Sequence, residues 1–187
     1  MIKCIYQLQQ KIKTIKESED HYSEYLSSLI NNLIDHRKWH IEEQKPSGTS
    51  ASSGKKKWEK IGGLGELDFV FMDEKNMILT ICEAFVLRFN DKKTINNHLL
   101  KIFKYDAIGL PFNFIIIYSK VVKFDELWSK YKETVIKVPF KYKLKEKRFY
   151  DESDQYDIKS ELRMGKTIHI RQGKSMDLYH FLINTSF

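Results

Sequence analysis

The sequence predicts an α/β fold: a mixed central β-sheet flanked by helices, continued by a β-rich C-terminal extension. Three observations lead there. Residues 77–87 and 112–118 are apolar at nearly every position, the pattern of strands covered on both faces. Between them Ile95, Leu99, Ile102 and Phe103 recur at helical spacing, and a strand–helix–strand crossover of that length joins parallel neighbours. Just upstream, Leu67, Phe69 and Phe71 alternate with Glu66, Asp68 and Val70, as in one arm of a hairpin.

The remaining elements follow in order. Ile5, Leu8, Ile12 and Ile15 define a helix over 3–17, and Ser23 opens a stronger one carrying Leu26, Leu29, Ile30, Leu33 and Ile34. Residues 39–43 read as a first strand. The Pro-, Gly- and Ser-rich segment 46–54 reads as a loop, and Gly62-Gly63 leads into the acidic strands. Asp73-Glu74-Lys75-Asn76 is a four-residue turn that sets Met72 opposite Met77. A turn at Asn90-Asp91 precedes the helix at 94–105, which Gly109-Leu110-Pro111 stops. Phe124, Leu127, Trp128 and Tyr131 mark another helix and 136–138 another strand. Residues 167–171 and 176–183 flank Gln172-Gly173-Lys174-Ser175 as a hairpin. The expectation is one domain over 1–187: a helix at 3–17, a core at about 23–138 and the β-rich extension at about 139–187.

With 187 residues, 42% of them hydrophobic, the chain can build a real core and is not a disordered one. No run approaches the roughly 18–20 apolar residues of a membrane span. Met1-Ile2-Lys3-Cys4 leads into a Lys-rich helix, not an apolar leader. Cys4 and Cys82 have no metal or redox spacing, so reduced thiols and a cytoplasmic location are expected. Lys and Arg number 32 against 25 acids, a balance suited to a polyanionic partner. Lys55, Lys56, Lys57 and Lys60 surround Trp58, and Lys137, Lys141, Lys143, Lys145, Lys147 and Arg148 interleave with Phe140 and Tyr142.

Two acids stand where apolar residues are expected. Burying an unpaired carboxylate costs several kcal/mol, roughly, unless it is neutralised or holds a cation. Glu83 is the single charge within 77–87. Under the four-residue turn, Asp68 faces Ile81 and Glu66 faces Glu83, making Asp68 and Glu83 diagonal neighbours roughly 7–8 Å apart on one face. A turn of odd length without a bulge would separate them onto opposite faces. Paired carboxylates of this kind suit Mg²⁺ or Mn²⁺, and a hydrolytic nuclease is the leading expectation.

In the order of its elements the chain resembles the PD-(D/E)XK, or restriction-endonuclease-like, nuclease superfamily. Gly65-Glu66-Leu67-Asp68 is similar to its Gly-x-Leu/Ile-Asp element, and Glu83-Ala84-Phe85 takes the place of Glu-x-Lys on the next strand. The resemblance covers about 23–138. It implies a restriction-endonuclease-like core, a Mg²⁺- or Mn²⁺-dependent endodeoxyribonuclease and a role in defence against foreign DNA. It further implies Glu24 as the helix acid and third metal ligand beside Asp68 and Glu83, and His98 as a polar site residue. Phe85 departs from the pattern, standing where the family has its lysine. Lys101, one helical turn after His98, is the substitute the resemblance suggests, ahead of Lys92 and Lys93. Lys55, Lys56, Lys57, Lys60 and Lys104 would then grip the DNA backbone. The alternatives are a nuclease-fold module without catalysis that binds nucleic acid or a protein, and an interaction domain docking through its β-rich tail. DNA versus RNA stays open, as does a homodimer versus a component of a larger complex; no membrane partner is expected.

Overall fold

The computed structural model describes residues 1–15, 18–43, 67–155 and 160–186. Helix α1 (Ile2–Lys11) runs on into a short 3₁₀ turn at Ile12–Thr14. Helix α2 (Glu19–Ile34) follows. It starts four residues before the expected Ser23, because Ser18 is the cap: its hydroxyl accepts the His21 N–H at 3.3 Å, with Glu19 and Asp20 in the first turn. The buried face of α2 is therefore Tyr22, Ser23, Leu26, Ser27 and Ile30, while Leu33 is exposed.

Strands β1 (His40–Glu43), β2 (Phe69–Met72) and β3 (Ile78–Leu87) form an antiparallel meander. Helix α3 (Lys92–Tyr105), capped by Asp91, crosses over to β4 (Phe112–Ser119), which pairs with β3 in parallel. Helix α4 (Phe124–Val135) comes next. Residues 136–138, expected as a strand, instead wind on from it: the amides of Ile136, Lys137 and Val138 bond back to Lys132, Thr134 and Val135. Of the two β-branched residues there, Val138 is buried on the core and Ile136 is exposed.

Strands β5 (Lys143–Asp151), β6 (Leu162–Arg171) and β7 (Lys174–Asn184) come from the C-terminal third and complete the same seven-stranded mixed sheet, in the order β1-β2-β3-β4-β7-β6-β5. β6 and β7 are joined through Gln172 (φ 49°) and Gly173 (φ 78°), two left-handed positions that match a tight hairpin. β7 then lies parallel to β4, in the interior of the sheet.

The central strands are covered on both faces. Ile115 and Ile117 of β4 join the core under α3 and α4, with Leu99, Ile102 and Trp128. Ile116 and Tyr118 join the core under α1 and α2, with Leu8, Tyr22 and Leu26. Period-two alternation thus feeds two cores from one apolar strand. Among the described residues no helix is long and apolar enough to cross a membrane.

Candidate active site beyond the β2–β3 pairing

The β2–β3 hairpin decides where the acids meet. Its turn is not the expected one. Asp73 N–H bonds to Met77 O at 3.1 Å and Asn76 N–H to Asp73 O at 3.0 Å, with Asn76 left-handed at φ 59°. Asp73 Oδ1 holds the turn by accepting from the amides of Lys75 and Met77. Met72 accordingly pairs with Ile78, not Met77. Only three residues separate Asp73 from Met77, an odd number that alone would turn Asp68 and Glu83 to opposite faces. A bulge restores the parity: Met72 pairs with Ile78 but Phe71 with Thr80, leaving Leu79 as the extra residue. Phe69 then pairs with Cys82, and continuing that register sets Asp68 directly across from Glu83. Glu66, expected opposite Glu83, lies outside the described residues.

Glu83 is fully buried. Its Oε1 accepts from Lys101 Nζ at 2.7 Å and pairs with His98 Nδ1 at 2.7 Å. Both partners stand on α3, three residues apart, beside the core face of Ile95, Leu99 and Ile102. Phe85, two residues beyond Glu83, stacks on the His98 ring with centroids 4.5 Å apart and 19° between planes. Glu83 Oε2 is buried and, among the described residues, has no hydrogen-bond partner. An orphaned carboxylate oxygen in a buried site is costly and calls for an explanation.

β2 stops pairing before Ala84, and carboxylates take over that edge of β3. Asp68 Oδ2 accepts the Ala84 N–H at 2.6 Å, and Glu19 Oε2 accepts the Val86 N–H at 3.2 Å. Asp68 is pushed up to about 7, first by burial and then by the charge of Glu83, with Glu19 adding to the push; the Ala84 amide and Lys101 oppose it. Burial also raises Glu19, with His98 and the Val86 amide pulling the other way. Asp68, Glu83 and Glu19 are therefore three mutually repelling carboxylates along the stretch of β3 that β2 leaves unpaired.

Asp68, Glu83, His98 and Lys101 come together here, and Glu24 does not. Glu24 is exposed on α2, and the helix acid that reaches β3 is Glu19, one residue after the cap. The sequence signal for Glu19 was Ser18 followed directly by two acids, an N-cap pattern as strong as the one at Ser23. Lys92 and Lys93 are exposed in the first turn of α3. Lys104 donates to the Tyr105 hydroxyl at 3.0 Å, away from the acids. Lys55, Lys56, Lys57 and Lys60 lie outside the described residues.

The donor set suits a small hard cation held partly by water. Among the described residues no group of three or more His, Cys, Asp or Glu side chains is close enough to hold a metal ion alone. Mg²⁺ needs no such cage, binding through one or two carboxylates while keeping several waters. Asp68 and Glu83 are two carboxylates of the kind such a site uses, and among the described residues Glu83 Oε2 has no other partner. No protein-family model, curated protein or solved structure matches the chain.

Proposed function

We propose that the chain is a Mg²⁺- or Mn²⁺-dependent deoxyribonuclease of the restriction-endonuclease-like kind, with Lys101 in the role of the lysine that Phe85 displaces. The observation that carries this reading is Glu83: a fully buried carboxylate held on one oxygen by Lys101 and His98, without a partner among the described residues on the other, and facing the raised Asp68 carboxyl. Two further features support it. The acids stand on an antiparallel hairpin whose second strand crosses through a helix to a parallel neighbour, the order of elements in that superfamily. A helix acid, Glu19, reaches the same strand edge.

Asp68 and Glu83 would hold the ion, with Glu19 beside them. When bound, the ion supplies Lewis-acid polarisation of a phosphoryl oxygen and stabilises developing negative charge. The other roles belong to the chain. Lys101 brings an ammonium group to the scissile phosphate, where it neutralises charge and orients the attacking water. His98, stacked on Phe85, holds Glu83 Oε1 and so fixes the carboxylate's orientation. Phe85 itself, buried and stacked, supplies rigidity where a lysine would have supplied charge. An active enzyme is favoured over a silent nuclease-fold module because a lysine does contact the buried acid.

Purified protein is expected to nick supercoiled plasmid with Mg²⁺ or Mn²⁺. Asp68→Asn and Glu83→Gln should abolish nicking and Lys101→Ala should reduce it by about 10²-fold or more, the scale of one preorganised charge at the transition state. Undiminished cutting by both acid variants would refute the assignment.

A further inference from the structure

Beyond the acids, the C-terminal ends of β3 and β4 carry a run of connected clefts. The first, of about 350 Å³, is lined by Glu19, Val86, Arg88, Phe89 and Lys120 and so begins at the carboxylate edge. Arg88 and Phe89 also line a second cleft, of about 280 Å³, with Val122 and Lys123 on its far side. Asn90 and Lys130 are shared by that cleft and a third, of about 290 Å³, which adds Lys92 and Lys137. Sharing these residues, the three lie in series as one groove that starts at Glu19; Asp68 and Glu83 line none of the three.

Six cations line the groove (Arg88, Lys92, Lys120, Lys123, Lys130 and Lys137) against four acids, Glu19, Asp91, Glu126 and Glu133, and exposed apolar surface lies between them. Phe89 is 65% exposed and Val122 is 88% exposed. Phe89 does not sit on a slack segment. Lys120 N–H bonds to Leu87 O at 2.9 Å, Asp91 N–H to Phe89 O at 2.8 Å, and the Asn90 amide donates to Thr134 Oγ1 at 3.3 Å on α4. The backbone is thus tied down on both sides of a phenylalanine that points outward. Among the described residues Arg88, Lys92 and Lys137 make no ion pair, whereas Lys123 and Lys130 share Glu126.

We infer that this groove is the track of an unpaired DNA strand, with Arg88 on a backbone phosphate next to the metal edge and a base stacked on Phe89. The inference rests on the nuclease reading and names its substrate form. A duplex keeps its base faces stacked inside, so a protruding ring between cations has nothing to meet on it. A single strand offers both the charge and the π-face. Basic residues spaced along the groove bind the sugar–phosphate chain without sequence preference.

The test is fluorescence anisotropy of the full chain with labelled oligo(dT), alone and annealed to oligo(dA), in EDTA so that no strand is cut. The wild-type chain should prefer the single strand. Phe89→Ala should weaken single-strand binding by at least about fivefold, the lower limit for one base on an aromatic ring, and leave duplex binding unchanged. Phe89→Trp should restore it. Arg88→Gln should lower the salt slope of single-strand binding by about one. Equal affinity of Phe89→Ala and wild type for oligo(dT), or tighter binding of the duplex by the wild type, would overturn the inference. The two readings fail separately. Phe89-dependent strand binding without metal-dependent nicking leaves the track and removes the nuclease. Nicking that needs Asp68 and Glu83 while Phe89→Ala binds normally does the reverse.

Discussion

Asp68→Asn removes one of three clustered charges while keeping an oxygen to accept the Ala84 amide, and its effect on stability follows from the geometry. The Asp68 carboxyl moves from 3.8 to about 7 on folding. A raised folded-state value means that the native chain keeps a proton the unfolded chain has lost. Stability therefore falls as pH rises through the window from about 4 to 7, and above it the whole penalty is present. A displacement of about three units at 1.36 kcal/mol each sets a ceiling of about 4 kcal/mol; partial exposure lowers the expectation to about 1–4 kcal/mol. With chelator at pH 8, Asp68→Asn should therefore be more stable than wild type, raising Tm by roughly 2–4 °C per kcal/mol for a chain of this size. At pH 4 the two should melt together. Saturating Mg²⁺ should narrow the gap by about 2.7 kcal/mol, the gain from an ion that binds only the folded wild type at 100 times its Kd, and should reverse the order where the penalty is smaller than that. Thermal melts of both proteins at the two pH values, with and without Mg²⁺, read all of this. A variant less stable than wild type at pH 8 in chelator, or one that gains as much from Mg²⁺, would refute the reasoning.

Other expectations follow from the same contacts. Lys101→Met strips one cation from the buried Glu83 and should cost about 3–5 kcal/mol by urea denaturation, with much of it recovered in the double variant carrying Glu83→Gln; additive losses would show that the pair is not coupled. His169 and His180 are buried in hydrogen-bonded contact with Thr167, and His180 with Tyr131. Burial lowers His169 from 6.5 to about 4 and also holds His180 well below 6.5, so protons bind the unfolded chain first and stability falls as pH drops below 6.5; His169 alone should remove about 2 kcal/mol by pH 5, and His169→Gln should flatten that decline. A Cβ on Gly165 would lie 2.6 Å from the Tyr150 carbonyl oxygen and closer still to the Phe149 ring, so Gly165→Ala should destabilise by about 1–3 kcal/mol; a neutral result would mean that β5 moves freely off β6.

Much of the sheet was legible because its signals are local. β3 and β4 are apolar on both faces and flank an amphipathic helix, which fixes them as parallel neighbours. The insertion of β7 beside β4 was not legible, since a parallel pairing over such separation leaves no trace in spacing. Helix α2 was placed late because Ser18 and Ser23 offer similar caps, and that slip put Glu24 in the place of Glu19. Residues 136–138 look like a strand because Ile136 and Val138 are β-branched, yet they wind on from a helix end, where only Val138 of the two is buried. The facing of Asp68 and Glu83 was anticipated from an even turn, yet it arises from an odd turn and the bulge at Leu79 acting together. Bulges follow from the packing of a strand against its neighbours and carry no signature in so short a hairpin.

The central claim is that Asp68 and Glu83 hold one divalent ion where β3 runs beyond its pairing with β2. Titrating the chain with Mn²⁺ and counting the free ion by electron paramagnetic resonance measures it directly. The account expects one bound equivalent that disappears in both Asp68→Asn and Glu83→Gln while their folds persist. Wild-type protein that leaves the Mn²⁺ signal undiminished, or variants that bind as well as wild type, would contradict it.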